Sequence, residues 1–423
     1  MKMTLKNLRL SAVLIIMCGL LVSTNSFAQK DLLAKYPSWV EFEDDKDMME
    51  ALRNIEKVVQ KFEGEGRVAV FDWDGTLYHE KIKVKQPSEL KYIPEDTELY
   101  YDYTKGSRSP NIHEAGQPVW QIWAASHASN GTSNYRDLNL VSLRMNDLLS
   151  PADNFDDIVD FTNRLEGEMH YSKGELVKMN EYVKFAQISI FEASMRPKDM
   201  HEAVKGFLLD YPPCDYAFFP ALDIFHRLVE AGFKVWIVTG SNPYYVKPVI
   251  KAIEKQCRRP DDSTYDFGYN DAVYNPDTDR MYGNFAIISD GKFGVLLDDN
   301  RLDDYRVDFD PKANRFLDHK NPADAKRLAE IRQKDGRFIN NKFGKTVAVG
   351  GYIEQEREKA KVAVLMGNSG SDGAMMTYVL NNHKDAIGIG INGMKDILSQ
   401  EKYKGRTFMF DLQCNKEKEE KHE

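Results

Sequence analysis

Val68-Ala69-Val70-Phe71-Asp72-Trp73-Asp74-Gly75-Thr76-Leu77 decides how this chain folds. Its first four residues form a continuous apolar run rather than an alternating one, the pattern of a strand buried on both faces of a parallel sheet. The run stops at two carboxylates one residue apart, and Gly75 permits a sharp turn directly after them.

Two further units repeat the pattern. Leu222, Phe225, Leu228 and Val229 make a helical stripe starting at Pro220; Gly232 stops it, and Phe233 to Val238 give a second buried strand ending at Thr239. A helix over Thr346 to Lys359 leads to the strand Val362 to Met366 and the polar loop Gly367 to Asp372. Ala386 to Ile391 and Thr407 to Leu412 read as late strands. Helix then strand, repeated, predicts an α/β fold with a doubly wound, mostly parallel sheet. Ligands in such sheets bind beyond the carboxyl ends of the strands, where each of these polar motifs falls.

This core is assigned to residues 63–80 and 214–414. Ahead of it, within residues 29–62, Met49, Leu52, Ile55, Val58 and Val59 recur at helical spacing and predict an amphipathic lead-in helix that packs and does nothing more. Residues 81–213 have a different character, with helical spacing in Leu138 to Leu149, Phe155 to Leu165 and Glu175 to Phe191, and are read as an inserted helical cap. A second excursion, Asn242 to Phe343, contains a predicted hairpin, Ala272 to Phe285, turning at Asn275-Pro276-Asp277. Its charged part, Asp298 to Arg332, takes no assignment. Residues 415–423 form a mixed-charge tail, expected to be disordered.

Residues 1–28 follow a secretory pattern: Lys2, Lys6 and Arg9, then an apolar run from Ser11 to Val22, then Ser26-Phe27-Ala28 as a cleavage site. Cleavage near Ala28 predicts an exported chain, periplasmic in a bacterium. The run is short for a membrane span, which takes about 20 apolar residues. A lipid anchor through Cys18 is the competing reading, opposed by Met17 where a small residue is expected and by Gly19 to Val22 continuing the apolar run. Loss of the signal moves the net charge from −9 to −12, which leaves no electrostatic footprint for nucleic acid or anionic lipid. With 42% apolar and 11% aromatic residues, the chain is globular rather than disordered. Cys214, Cys257 and Cys414 allow one intramolecular disulfide, the pair left open. They lack Cys-x-x-Cys spacing, which argues against a structural zinc site. Nor do His79, His113, His127 and His170 show metal-ligand spacing.

The chemistry begins with Asp72 and Asp74. A carboxylate can attack phosphorus and split a difficult hydrolysis into two easier steps, and a second carboxylate can protonate the leaving oxygen and later activate water. Taken alone, Asp-x-Asp-Gly-Thr also fits a calcium loop or a plain turn. Thr239 alone fits a helix N-cap.

Phe71-Asp72-Trp73-Asp74-Gly75-Thr76-Leu77 resembles the first signature of the haloacid dehalogenase superfamily, and matches to the other three follow in order. The resemblance implies a Rossmann-like core and Asp72 as nucleophile. Thr239 with Gly240 matches the second signature, implying contacts to phosphate oxygens. Lys345 matches the third, whose ammonium offsets charge, with Lys342 its nearest rival. Gly367-Asn368-Ser369-Gly370-Ser371-Asp372 matches the fourth, the metal loop. That loop commonly begins Gly-Asp; Asn368 removes a formal charge, leaving Asp372 the firmer metal residue and Asn368 a direct ligand or a neighbour of one. The implied cofactor is Mg2+, held by Asp72, the backbone carbonyl of Asp74, Asp372 and Asn368. Asp298-Asp299 after Val295-Leu296-Leu297 offers a rival strand end, but lacks the loop-then-helix continuation.

Asp74 points to phosphomonoester hydrolysis, since relatives that dehalogenate usually lack an acid there. Phosphotransfer between sugar hydroxyls uses the same groups, and a binding protein on a degenerate core or a structural envelope protein are readings of another class. The expected partner is a small phosphorylated substrate. Trp120 and Trp123, with Tyr100, Tyr101 and Tyr103 near them, could hold a cationic head, as the layout is similar to exported phosphorylcholine and phosphoserine phosphatases; the plainer reading makes them the core of the cap.

Overall fold

The computed structural model describes residues 29–79, 196–270, 273–297, 309–310, 313, 315–318, 321–324 and 343–420. The signal segment with Cys18, most of the expected cap with its aromatic group, His113, His127, His170, Lys342 and Asp298-Asp299 lie outside these residues. Among the described residues, no helix is long and apolar enough to cross a membrane.

The lead-in helix α1 (Lys46–Phe62) is capped by Asp45, whose side chain accepts from the backbone N–H groups of Asp47 and Met48. It leads to β1 (Val68–Phe71). After the inserted segment come α2 (Pro197–Asp210), α3 (Pro213–Tyr216) and α4 (Phe219–Glu230), then β2 (Lys234–Val238), α5 (Pro243–Gln256) and β3 (Met281–Tyr282). The ladders β4 (Ala286–Ser289) with β5 (Lys292–Leu297) and β6 (Phe309–Asp310) with β7 (Arg315–Phe316) stand apart from the main sheet. The closing elements are α6 (Phe343–Val347) running into a π-helix (Ala348–Arg357), β8 (Val362–Gly367), α7 (Gly373–Asn382), β9 (Ile387–Ile391), α8 (Lys395–Leu398), β10 (Thr407–Phe410) and α9 (Asn415–Glu420).

Among the described residues, six strands form one parallel sheet in the order β10-β9-β8-β1-β2-β3. The chain winds outward in both directions from β1, making an α/β, Rossmann-like doubly wound fold. Side chains alternate between two apolar cores. Ala69, Phe71, Val235 and Ile237 face α1, α4 and α5 through Leu52, Ile55, Leu222, Phe225 and Val249. Val68, Val70, Trp236 and Val238 face the π-helix and α7 through Val349, Ile353, Met376 and Val379. Both faces are covered, which is why β1 reads as an unbroken apolar run. Each buried Leu, Ile or Phe contributes about 1.5–3 kcal/mol, so α1, with Leu52, Ile55 and Val59 all buried, is a packing element of the core.

Four expectations change. The turn at Asn275 exists, with Thr278 and Asp279 N–H groups donating to the Asn275 carbonyl, but among the described residues no hairpin forms around it. Asp279 turns inward to an ion pair with the fully buried Lys247 of α5, and Met281–Tyr282 joins β2 as a parallel edge strand. The hairpin is instead β4–β5, turning at Asp290-Gly291, where φ is 51° and 72°; two left-handed positions in a row are what an Asp-Gly turn supplies. The helix expected over Thr346 to Lys359 widens into the π-helix over Ala348–Arg357. Residues 415–420 of the tail are helical, with Lys418 paired to Glu41 and His79 to Glu417. Finally, α2 packs on α5, with Met200, Val204 and Leu208 in the same apolar core as the sheet. The only disulfide among the described residues joins Cys214 to Cys257, and Cys414 is buried and free.

Candidate active site at the carboxyl ends of three strands

The strands β8, β1 and β2 are neighbours, with Phe71 beside Met366 on one side and Ile237 on the other. The residues that follow them, Asn368, Asp72 and Thr239, therefore emerge side by side at one edge of the sheet. Asp72 is fixed by its N–H donating to the Met366 carbonyl at 2.9 Å. Gly75, at φ 70°, turns the chain directly after Asp74, and its N–H donates to the Tyr78 carbonyl.

Lys345 enters from α6 and closes the centre of the site. Its Nζ donates to Asp72 Oδ1 at 2.7 Å and to Asp372 Oδ1 at 2.6 Å, all three groups being buried. Burial pulls the lysine's pKa down, but the Asp372 and Asp72 carboxylates outweigh it and push the value above the usual range. Burial and the neighbouring Asp372 carboxylate hold the Asp72 carboxyl well above its ordinary pKa, against the pull of Lys345.

Asp372 organises its loop with its other oxygen, Oδ2, which accepts from the backbone N–H groups of Asn368 at 3.0 Å and Ser369 at 3.1 Å. The closure is tight: a β-carbon at Gly367 would lie 2.8 Å from Asp372 Cβ, and one at Gly393 would lie 2.0 Å from the Asn368 carbonyl oxygen. Asn368 and Asp372 both lie in the loop after β8, with Asn368 meeting Asp372 through its backbone N–H.

Asp74 faces β2. Thr239 Oγ1 donates to Asp74 Oδ2 at 3.1 Å and Ser241 Oγ donates to the same oxygen at 2.6 Å. Ser241 N–H in turn donates to Thr239 Oγ1. Burial raises the Asp74 pKa to about 6, with the Ser241 hydrogen bond, Lys345 and the Thr239 hydrogen bond opposing it. Gly240 is anchored by its carbonyl, which accepts from Asn284 Nδ2 at 2.9 Å. Gly283 lies so close that a β-carbon there would be 2.3 Å from the Ser241 carbonyl oxygen.

Ser241 and Asn284 were missed in the sequence. Ser241 follows Thr239 by two residues in the turn before Pro243, and the Thr-Gly-Ser run was its available signal. Asn284 had none, because the sequence reads Met281–Tyr282 as an arm of a hairpin and not as an edge strand beside β2.

The donors fit a hard divalent cation. Asp72, Asp74 and Asp372 present three buried carboxylates to one ammonium, an all-oxygen set with surplus negative charge, which adds to burial in raising the Asp72 carboxyl. One carboxylate bound to a buried lysine, beside a second carboxylate poised near neutral pH, can perform nucleophilic attack with proton transfer.

No protein-family profile matches the chain, and no curated protein matches it in sequence at a significant level. Among solved structures, it is similar to a conserved, functionally unknown protein from Anaerococcus prevotii DSM 20548, at 13% identity and a TM-score of 0.36, covering 85% of this chain and 91% of that one. It is also similar to a phosphoserine phosphatase in its apo form, at 13% identity and a TM-score of 0.27, covering 81% and 92%.

Proposed function

We propose that this chain is an exported, magnesium-dependent phosphomonoesterase of the haloacid dehalogenase superfamily, hydrolysing a small phosphorylated metabolite through an aspartyl phosphate on Asp72. The observation that carries this reading is Lys345 held between Asp72 and Asp372 at 2.7 and 2.6 Å, with Asp74 buried beside them.

Asp72 attacks phosphorus as the ester P–O bond breaks, and the departing oxygen takes a proton from Asp74 to leave as the alcohol. Water then gives a proton to the Asp74 carboxylate as its oxygen attacks phosphorus. The bond to Asp72 breaks, orthophosphate leaves, and Asp74 is protonated again. A pKa of about 6 suits both duties, because each protonation state is accessible near neutral pH; such acid–base assistance is worth about 10²–10⁴-fold. Lys345 offsets charge on the nucleophile and phosphoryl group. Asp72, Asp372, the Asp74 carbonyl and Asn368 would hold the magnesium ion, whose charge offsets that of the phosphoryl oxygens.

The test is orthophosphate release from a panel of small phosphomonoesters, with and without magnesium, beside an Asp72→Asn variant. Magnesium-dependent turnover that the variant loses supports the reading. Equal inertness of both proteins across the panel overturns it in favour of a binding protein.

A further inference from the structure

Away from the carboxylate site, His79, Cys414 and Glu417 each place one potential ligand atom so that all three lie within 4.8 Å of one another. They come from distant parts of the chain: His79 follows the turn after Asp74, whereas Cys414 directly precedes α9 and Glu417 lies within it. Their donors are an imidazole nitrogen, a thiol sulfur and a carboxylate oxygen. We propose that they form a second metal site, specific for a borderline-soft transition ion of the zinc class, which pins the segment after the catalytic turn to the C-terminal helix.

The geometry is close to coordination already. His79 Nε2 and Glu417 Oε1 are 3.0 Å apart, near the ~3.3 Å edge of a tetrahedron with bonds of about 2.0–2.1 Å. Cys414 Sγ lies within 4.8 Å of both atoms, and an ion holding it at about 2.3 Å draws it inward. The other Glu417 oxygen, Oε2, accepts from the Cys414 N–H at 3.0 Å, which orients the carboxylate toward the cysteine. The backbone N–H of His79 donates to the Tyr216 carbonyl at 2.7 Å, and the ring packs against Phe218.

Access and availability agree with this assignment. Cys414 is buried and outside the Cys214–Cys257 disulfide, while the side chains of His79 and Glu417 are 15% and 36% exposed and give an ion a route in. Binding replaces the His79–Glu417 contact by two bonds to the metal, the proton between Nε2 and Oε1 moving to Nδ1 of the ring or to solvent, and exchanges the thiol proton for a third: Cys–SH and M2+ give Cys–S–M+ and H+. Water would fill the fourth position. Thiolate and imidazole select this ion over magnesium, and the all-oxygen carboxylate site selects the reverse.

Cobalt distinguishes the two sites, because only a thiolate ligand gives a sulfur-to-cobalt charge-transfer band in the near ultraviolet. The full-length, disulfide-intact protein is titrated with Co2+ in excess magnesium. One equivalent should produce the band, one equivalent of Zn2+ should abolish it, and Cys414→Ser should lack it. His79→Gln and Glu417→Gln should weaken Co2+ binding at least tenfold. Absence of the band in the wild type, or its survival in Cys414→Ser, overturns the proposal. Should circular dichroism show that Cys414→Ser is unfolded, unchanged Co2+ affinity in both other variants overturns it as well. None of these readouts depends on phosphatase activity.

Discussion

Ser241 donates a 2.6 Å hydrogen bond to Asp74 across 167 positions of the chain, and Thr239 donates to the same carboxylate oxygen at 3.1 Å. Two hydroxyls at the end of β2 therefore stabilise the ionised form of a carboxylate that burial pushes the other way.

Ser241→Ala removes the strongest of the interactions that lower the Asp74 pKa, so that pKa rises above about 6. With Asp74 as the acid of the first step, the limb of kcat/KM that falls with rising pH moves to higher pH. A pH–rate profile of both proteins checks this; an unmoved limb would show that Asp74 does not control it.

Lys345→Met leaves Asp72 and Asp372 buried without their shared cation. Breaking such a contact costs about 3–5 kcal/mol, and phosphatase activity should fall by about 10³-fold or more. Asp72 already has a raised folded-state pKa, and loss of Lys345 raises it further. A raised carboxyl favours the fold below its unfolded-state pKa and loses that contribution as pH rises through the folded value. The stability deficit measured by urea denaturation should therefore shrink between neutral pH and pH 5.

Asp223, on α4 beside Ser38 and Arg259, supplies a second linkage test. It accepts from Ser38 N–H at 2.6 Å and lies 3.4 Å from Arg259 Nε, yet burial raises its pKa to about 6. Its protonated form favours the fold below about pH 4, and that contribution disappears as pH rises through 6. Relative to Asp223→Asn, the wild type should lose up to about 3 kcal/mol between pH 4 and pH 6.5. A constant difference between the two proteins over that range would contradict the shift.

Gly283 and Gly206 should respond to alanine in opposite directions. A β-carbon at Gly283 would meet the Ser241 carbonyl oxygen at 2.3 Å and Pro243 at 2.8 Å, so Gly283→Ala should cost about 1–3 kcal/mol and misplace the Asp74 donors. Gly206, inside α2, has nothing within 4 Å of its missing β-carbon; Gly206→Ala should stabilise by about 0.5–1 kcal/mol. Thermal unfolding of the pair checks both signs.

Most of the core was legible because parallel strands covered on both faces declare themselves as apolar runs, and β1, β2, β8 and β9 all do. The motifs at their ends were legible for the same reason. β3 was not: two residues long, Met281–Tyr282 is defined by pairing with β2 and by the Lys247–Asp279 ion pair that draws the turn inward. The Asp290-Gly291 hairpin carried a local signal that the Asn275 turn obscured.

By itself, then, the sequence determined the alternation of helix and strand and the order of the polar motifs, because periodicity and motif spacing are local properties of a chain. Only the tertiary structure decided that β8, β1 and β2 are neighbours, that Ser241 reaches Asp74, that Cys214 pairs with Cys257 and that His79 meets Cys414 and Glu417. Each of these joins residues far apart in the chain, and sheet winding and packing, which no local pattern encodes, bring them within bonding distance.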